Sequence, residues 1–242
     1  MRPAPMQPLE RPQALAEQVY RALRERLRSG AIGAGQPLQE VSVAAQLGVS
    51  RTPVREAMAR LASEGLLDTR ARSFTVPQLA LSDVDDIYEV RFLIEPAAVR
   101  RIAARTADAA VRAPLQAALA DAAAAHRTGD AAAFAEANVR FRQAWLALVP
   151  NPRLVRMIAL YADHMQQIRA LTLGRARVRE IVLRGLARIT AALAAGDSDA
   201  AADAVLEHLR QARLAFIEAL GLQPGRAAGA SRARRRARTA AS

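Results

Sequence analysis

The run LGVSRTPVREAMARLASEGLL, residues 47–67, constrains this chain more than any other stretch. Val54, Met58 and Leu61 recur at i, i+4 and i+7, so they share one stripe of a helix and face a core. Ser50 stands at the N-cap, where its hydroxyl is expected to accept from a free backbone N–H of the first turn. Pro53 falls inside that turn, where its missing N–H does no harm. Gly65 stands where a left-handed residue ends a helix. Glu56 and Arg60 are spaced as a supporting i,i+4 pair. Arg51, Thr52 and Arg55 then lie off the apolar stripe, in the first two turns.

A short helix anchored on one side, with guanidinium groups on its N-terminal turns, is what reading a major groove requires. The residues before it fit. Leu38, Val43, Ala44 and Leu47 suit a short helix, and Gly48 turns the chain toward Ser50, giving a helix-turn-helix. After it, LLDTRARSFTVP (66–77) reads as two short strands, a wing with Arg70 and Arg72 near its tip. The alternative is a helical hairpin with a solvated charged face. Cap, turn and wing agree on the nucleic-acid reading. The candidate DNA contacts are Ser50, Arg51, Thr52, Arg55, Arg70 and Arg72.

The chain has 242 residues, enough for two ordinary domains. It has no Cys, which excludes a disulfide framework, a thiolate nucleophile and a Cys-zinc site. No apolar run is long enough to span a bilayer, and MRPAPMQPLERPQ lacks a signal-peptide pattern, so a bacterial cytoplasm is expected and no membrane partner. Net charge is +12, and half of that excess sits in residues 223–242, which hold six Arg and no acid. That Gly/Ala/Ser/Arg tail lacks an apolar period and is expected to be disordered. It either attracts phosphate without regard to sequence or is a solvated tail with no role.

Four segments follow: a loose arm over 1–11, a winged helix-turn-helix domain over 12–79, a helical domain over 80–222 and the tail over 223–242. A first helix at about 13–29 carries Leu15, Val19, Leu23 and Leu27. Ser82 is placed as the N-cap of the helical domain. Helices are expected at roughly 82–105, 109–128, 131–148, 152–171, 177–195 and 199–220, broken by TGD, VPNP, TLG and AGDSD. The fold class is mostly α: the winged domain plus an all-α bundle of six to seven helices.

The recognition-helix run makes residues 12–79 resemble the winged helix-turn-helix domain of the GntR family of bacterial transcription regulators. DIYEVRFLIEPAA (86–98), FAEANVRFRQAWLALVPNPRL (134–154) and ITAALAAGDSDAAADAVLEHL (189–209) make residues 83–220 resemble the FCD effector-binding bundle of its FadR branch. The resemblance implies a homodimer that binds an inverted-repeat operator in double-stranded DNA and whose affinity a small molecule modulates. Two departures touch the DNA end: Val41 stands where the family often has a basic residue, and Ser73 where the wing tip usually has Gly.

Many FCD domains bind a divalent metal through an Asp and three His, the first two as Asp-x-x-x-His on one helix. The corresponding positions here are Asn138, Arg142, Leu186 and His208. Arg cannot give up its proton and Leu has no donor atom, so the metal site is largely lost and no cofactor is expected. The positions still face inward, because Phe134, Asn138, Phe141, Arg142, Trp145 and Leu148 form one stripe, and Val205, His208, Leu209, Ala212 and Phe216 another. A buried guanidinium needs a partner. Either Arg142 pairs internally, with Glu136, Asp163 or Glu207 for example, or it grips the carboxylate or phosphate of an anionic effector. Asn138 and His208 would then supply hydrogen bonds, and Leu186 a wall. Taken alone, His208 reads first as a satisfied core histidine. Arg91 is a second candidate anchor, although an i,i+4 pair with Glu95 is the preferred reading.

Other classes of function fit less well. His126, His164 and His208 lie far apart in sequence, and no nucleophile elbow, Walker loop or dinucleotide turn appears, so an enzyme is not expected. A metal-dependent regulator could use a rearranged site of His208 with Asp163 or His164. A sequence-neutral architectural binder driven by the Arg tail would show a steep salt slope and no operator preference.

Overall fold

The computed structural model describes residues 15–221, apart from 71, 72 and 79. The expected arm, the basic tail and Arg72 lie outside the described residues. The chain divides between Gln78 and Leu79 into two compact units.

In the first unit, α1 (Leu15–Arg28) packs against α3 (Arg51–Ser63), with α2 (Glu40–Leu47) between them in sequence. The α1 stripe of Val19, Leu23 and Leu27 meets Val54, Met58 and Leu61 of α3 in one buried cluster. Gly48 adopts φ +66 at the end of α2, a conformation that any side chain would strain, and this sets the tight turn into α3. Gly65, at φ +74, releases the chain from α3 as expected. The wing is one strand richer than the sequence suggests. β2 (Asp68–Arg70) pairs with β3 (Ser73–Thr75), and β3 also pairs with β1 (Pro37–Leu38), in the order β1-β3-β2. Register places Leu38 opposite Phe74 and Arg70 opposite Ser73. Two residues beginning with Pro carry no alternation, which is why β1 is invisible to periodicity.

The second unit holds α4 (Leu81–Arg100), α5 (Ala103–Thr106), α6 (Ala109–Thr128), α7 (Ala131–Leu146), α8 (Pro152–Thr172), α9 (Ala176–Ala194) and α10 (Ser198–Leu220). α6 packs on α7 and α9, α10 lies between α4 and α9, and α8 touches α4, α7 and α10. Side-chain caps fix three of the breaks. Asp130 accepts from Ala133 N, Asn151 from Arg153 N and Leu154 N, and Asp197 from Asp199 N and Ala200 N.

Two local expectations fail. α4 begins at Leu81 with Ala80 as its cap residue, and the Asp83 carboxylate takes the Ala80 N–H at 2.7 Å, so Ser82 is already inside the helix. The helix expected to run to 105 stops at Arg100. There the N–H groups of Arg101 and Ile102 turn to the carbonyls three residues back. The break sinks Ile102 and lets the Thr106 hydroxyl donate to Leu193 O of α9 at 3.1 Å.

Candidate functional site

α3 buries Val54, Ala57, Met58 and Leu61 and leaves Arg51, Thr52 and Arg55 exposed. Both arginines converge on Glu40, in the first turn of α2. Arg55 donates through Nε to Oε1 at 3.1 Å and through Nη2 to Oε2 at 3.1 Å, and Arg51 Nη2 reaches Oε2 at 3.3 Å. The Arg55 fork, helped by Arg51, holds the Glu40 carboxyl below the usual carboxylate range. Sequence reasoning missed Glu40, which is separated from Arg55 by a turn whose geometry the sequence does not specify.

Two side-chain assignments on α3 need correction. Ser50 is the N-cap residue, in extended conformation, but its side chain makes no capping hydrogen bond. Arg60 does not pair with Glu56. It donates to Glu17 at 2.6 Å and Glu64 at 3.3 Å, with its guanidinium 3.7 Å above the Tyr20 ring. Two carboxylates and a π-face offer it more than one exposed i,i+4 partner. Tyr20 completes the cluster by donating to Glu64 at 2.7 Å; burial and that carboxylate push its hydroxyl up to about 12. Arg70 is placed by the backbone of β2, at the end of the strand opposite Ser73.

In the helical unit, the residues expected to line a pocket meet a hub that the sequence did not reveal. Tyr88, Arg91 and Glu95 lie on one face of α4, at i, i+3 and i+7, and all three are buried. Arg91 Nε donates to Glu95 Oε1 at 2.6 Å, as the i,i+4 reading anticipated. Arg142 of α7 reaches the same oxygen at 3.1 Å. Its internal partner is therefore Glu95, not Glu136, Asp163 or Glu207, because α7 turns Arg142 toward α4. Burial alone would raise the Glu95 carboxyl; Arg142 and Arg91 override it and hold it at about 2. Arg169, from α8, is 5% exposed and among the described residues donates only to Ala162 O, at 3.3 Å. Burial and the like charges of Arg142 and Arg91 push its pKa well down. It occupies a stripe with Ile158, Met165 and Thr172, the same inward-facing pattern that Arg142 shows on α7.

Asn138 is buried on α7 beside this hub, while Leu186 belongs to the apolar core and offers no donor. Gly185, the residue before it, is what meets His208: a Cβ at Gly185 would overlap the imidazole. His208 Nδ1 is buried with no hydrogen-bond partner among the described residues. Burial, then Arg91, drives its pKa down to about 3, so the ring is neutral near pH 7. The ring also lines an open groove of about 280 Å³ between α9 and α10, with Arg184, Arg188 and Gln211.

The donor set at the four family positions does not fit a metal. Arg142 donates to Glu95, Leu186 has no lone pair, and Asn138 and His208 alone are neutral ligands. Among the described residues no group of three His, Asp or Glu gathers elsewhere, including around Asp163 and His164.

The pKa directions give a pH prediction. Between the unfolded value of 6.5 and the folded value of about 3, the unfolded chain binds a proton at residue 208 that the folded chain does not. Stability from this ring is therefore complete above pH 6.5 and declines as pH falls toward 3. Glu95 adds a second loss between 4.5 and about 2. Melting curves followed through Trp145 should drop from pH 6.5 to 4.5 in the native sequence and flatten in His208→Gln. An equal slope in both proteins would mean that the ring is protonated freely in the fold.

A winged helix-turn-helix unit with exposed arginines on its second helix, joined to a helical unit with a buried charged hub, defines a two-domain DNA-binding regulator. Residues 15–76 match the model of bacterial regulatory proteins of the gntR family, and residues 86–211 match the FCD domain. A probable D-xylose utilization operon transcriptional repressor of Paenarthrobacter nicotinovorans is 32% identical over 202 residues, 81% of this chain and 85% of that protein. A regulator from the TAR-I ttuE-ttuC' intergenic region of Agrobacterium vitis is 38% identical over 133 residues, 53% of this chain and 77% of its own. The solved structure of E. coli McbR/YncC superposes with a TM-score of 0.73 at 30% identity, covering 85% of this chain and 98% of that one. The chain belongs to the GntR family, with an FCD domain, and is a DNA-binding transcriptional regulator rather than an enzyme. No helix among the described residues is long and apolar enough to cross a membrane.

Proposed function

We propose that the protein is a cytoplasmic, homodimeric repressor that binds a short inverted repeat and is controlled by a small anionic metabolite held in the helical domain. One recognition helix reads too few base pairs to be specific, and a two-fold dimer doubles the readout. Arg55 reads a guanine. Arg51, Thr52 and Ser50 fix the helix on phosphates or neighbouring bases, and the wing arginines Arg70 and Arg72 add contacts beside it. Repression is supported by the name of the Paenarthrobacter relative.

The observation that carries the effector reading is the charge of the hub: Arg91 and Arg169 are buried and Arg142 is half-buried, three guanidiniums against the one carboxylate of Glu95. Burying unbalanced positive charge is costly, and an anionic ligand offsets that cost. Arg142 is its anchor, with Arg91 behind, Asn138 and His208 as hydrogen-bond partners and Leu186 in the adjoining wall. A metal in related sites supplies positive charge to an acidic ligand; guanidinium supplies it here without depending on ligand deprotonation. Arg142→Gln should keep operator binding within about twofold and lose the release or tightening that a metabolite extract produces in the native protein. Retained response in Arg142→Gln would refute the anchor. A monomer by sedimentation at micromolar concentration, free and on DNA, would refute the dimer.

A further inference from the structure

Buried Arg91 and Arg169 and half-buried Arg142 set three positive charges against the single negative charge of Glu95, an excess of two. Arg91 and Arg142 share a single oxygen of Glu95, so that carboxylate is already committed twice. Arg169 has no carboxylate partner among the described residues. A comparison within the same domain is informative. Arg179 is equally buried, and its Nη1 donates at 2.8 Å and 2.9 Å to Leu173 O and Gly174 O, the carbonyls just past the end of α8. Arg179 closes a helix end, whereas Arg169 meets one carbonyl of its own helix at 3.3 Å and closes nothing.

Two neutral groups in the same region are also unpaired. The Tyr88 hydroxyl is buried without a hydrogen-bond partner among the described residues, its ring 4.7 Å from the Arg91 guanidinium carbon. His208 Nδ1 is the second. The Tyr88 O–H is a donor, and His208 can present either N–H or a lone pair at Nδ1. A buried polar atom without a partner is an expense that folded proteins seldom carry unless something else satisfies it. His208 lies on α10, which packs on α4, the helix that carries Tyr88, Arg91 and Glu95.

From this we infer that the effector site is built for a small dianion, with Arg169 the residue that distinguishes two negative charges from one and Tyr88 and His208 its neutral hydrogen-bonding partners. The inference rests on the anionic-effector reading above and adds the ligand's charge and a specificity residue. Arg142 and Arg91 hold one acidic group with Glu95 as their counter-ion, and Arg169 neutralises the second. An Arg fork can meet either a carboxylate or a phosphate in bidentate fashion, so the two sources of negative charge share one chemistry.

The test uses the full chain, with melting followed through Trp145 and no metal added. The ligand probes are succinate, its half-amide succinamate and inorganic phosphate, compared at equal ionic strength. Succinate or phosphate should raise the melting temperature of the native protein, with at least tenfold tighter apparent binding than succinamate. Arg169→Met should melt higher than the native protein when no anion is present, by roughly 2–4 °C, because it removes an uncompensated buried charge. It should also lose the preference for the doubly charged probe. A lower melting temperature for Arg169→Met would make Arg169 a satisfied structural residue and overturn the inference. So would measurable binding of succinate and succinamate with equal affinity by the native protein, which leaves a monoanionic effector standing. If no probe shifts the native protein and Arg142→Gln changes no response to extract, the anionic-effector reading itself falls. A phosphate response without a succinate response supports the dianion and assigns it to phosphorylated ligands.

Discussion

Glu95→Gln should destabilise the helical domain by about 3–5 kcal/mol, a large share of the stability of an ordinary domain. The substitution keeps the shape of the side chain and removes one charge. Its effect is large because both Arg91 and Arg142 donate to the same Glu95 oxygen, at 2.6 Å and 3.1 Å, and Glu95 and Arg91 are both buried. The amide oxygen can still accept those hydrogen bonds, but it leaves the three guanidiniums of the hub with no counter-charge. The effect should appear as an earlier unfolding midpoint in urea, read from Trp145, the single tryptophan, which is buried on α7 in the same domain. Two companion measurements separate charge from packing. Glu95→Gln combined with Arg142→Met should recover part of the loss, because removing both partners of a buried pair costs less than removing one. The single variant should also gain more stability than the native protein from added dianion, which replaces the missing negative charge. A loss below about 1 kcal/mol would mean that the pair is solvated and contributes as a surface pair does.

Legibility from the sequence follows the range of the interactions. The recognition helix is local: cap position, Pro in the first turn, a stripe at i, i+4 and i+7, and a closing Gly all lie within about twenty residues, and α3 forms over Arg51–Ser63. The bundle helices α6 to α10 begin and end within a few residues of the expected breaks for the same reason, since Asp130, Asn151 and Asp197 cap them locally. What escaped is what the fold brings together from a distance. Glu40 reaches Arg55 across the turn, β1 exists only because β3 offers it a ladder, and Arg142 finds Glu95 47 residues away. The resemblance to the FCD domain points to Asn138, Arg142 and His208, and periodicity adds that they face inward. Periodicity does not identify which inward-facing residues on other helices meet them. Arg169 carried the same signal on α8 as Arg142 on α7, and only packing of α8 against α4 and α7 gives it meaning. Leu186 illustrates the converse: it stands where the family has a ligand, but the residue is core, and its neighbour Gly185 makes the contact with His208.

Arg55→Ala should weaken binding to the protein's own operator by about 1–3 kcal/mol for each half-site, or roughly 2–6 kcal/mol for a dimer on an inverted repeat. At about 1.4 kcal/mol per tenfold, the smaller figure is already more than a factor of ten. The reasoning starts from the free protein. Arg55 is 62% exposed and forked on Glu40, an arrangement that holds its guanidinium in front of α3 instead of letting it sample many rotamers. Exposed pairs of this kind contribute little to folding, so the variant should melt with the native protein and any binding loss is a DNA effect. On DNA the same planar fork matches O6 and N7 of guanine, and alanine cannot replace it. The loss should be confined to one base pair per half-site. Substituting that guanine should cost the native protein as much as the mutation does, and should cost Arg55→Ala almost nothing further. Glu40→Gln separates positioning from contact, because it leaves both arginines in place and removes the charge that aligns them. That variant should bind random duplex more tightly, since an acid facing the phosphates is gone, and should discriminate less well at the Arg55 base pair. Titrations at one fixed salt concentration decide the matter. Unchanged operator affinity and unchanged base preference in Arg55→Ala would remove Arg55 from the readout and leave Arg51 as the candidate.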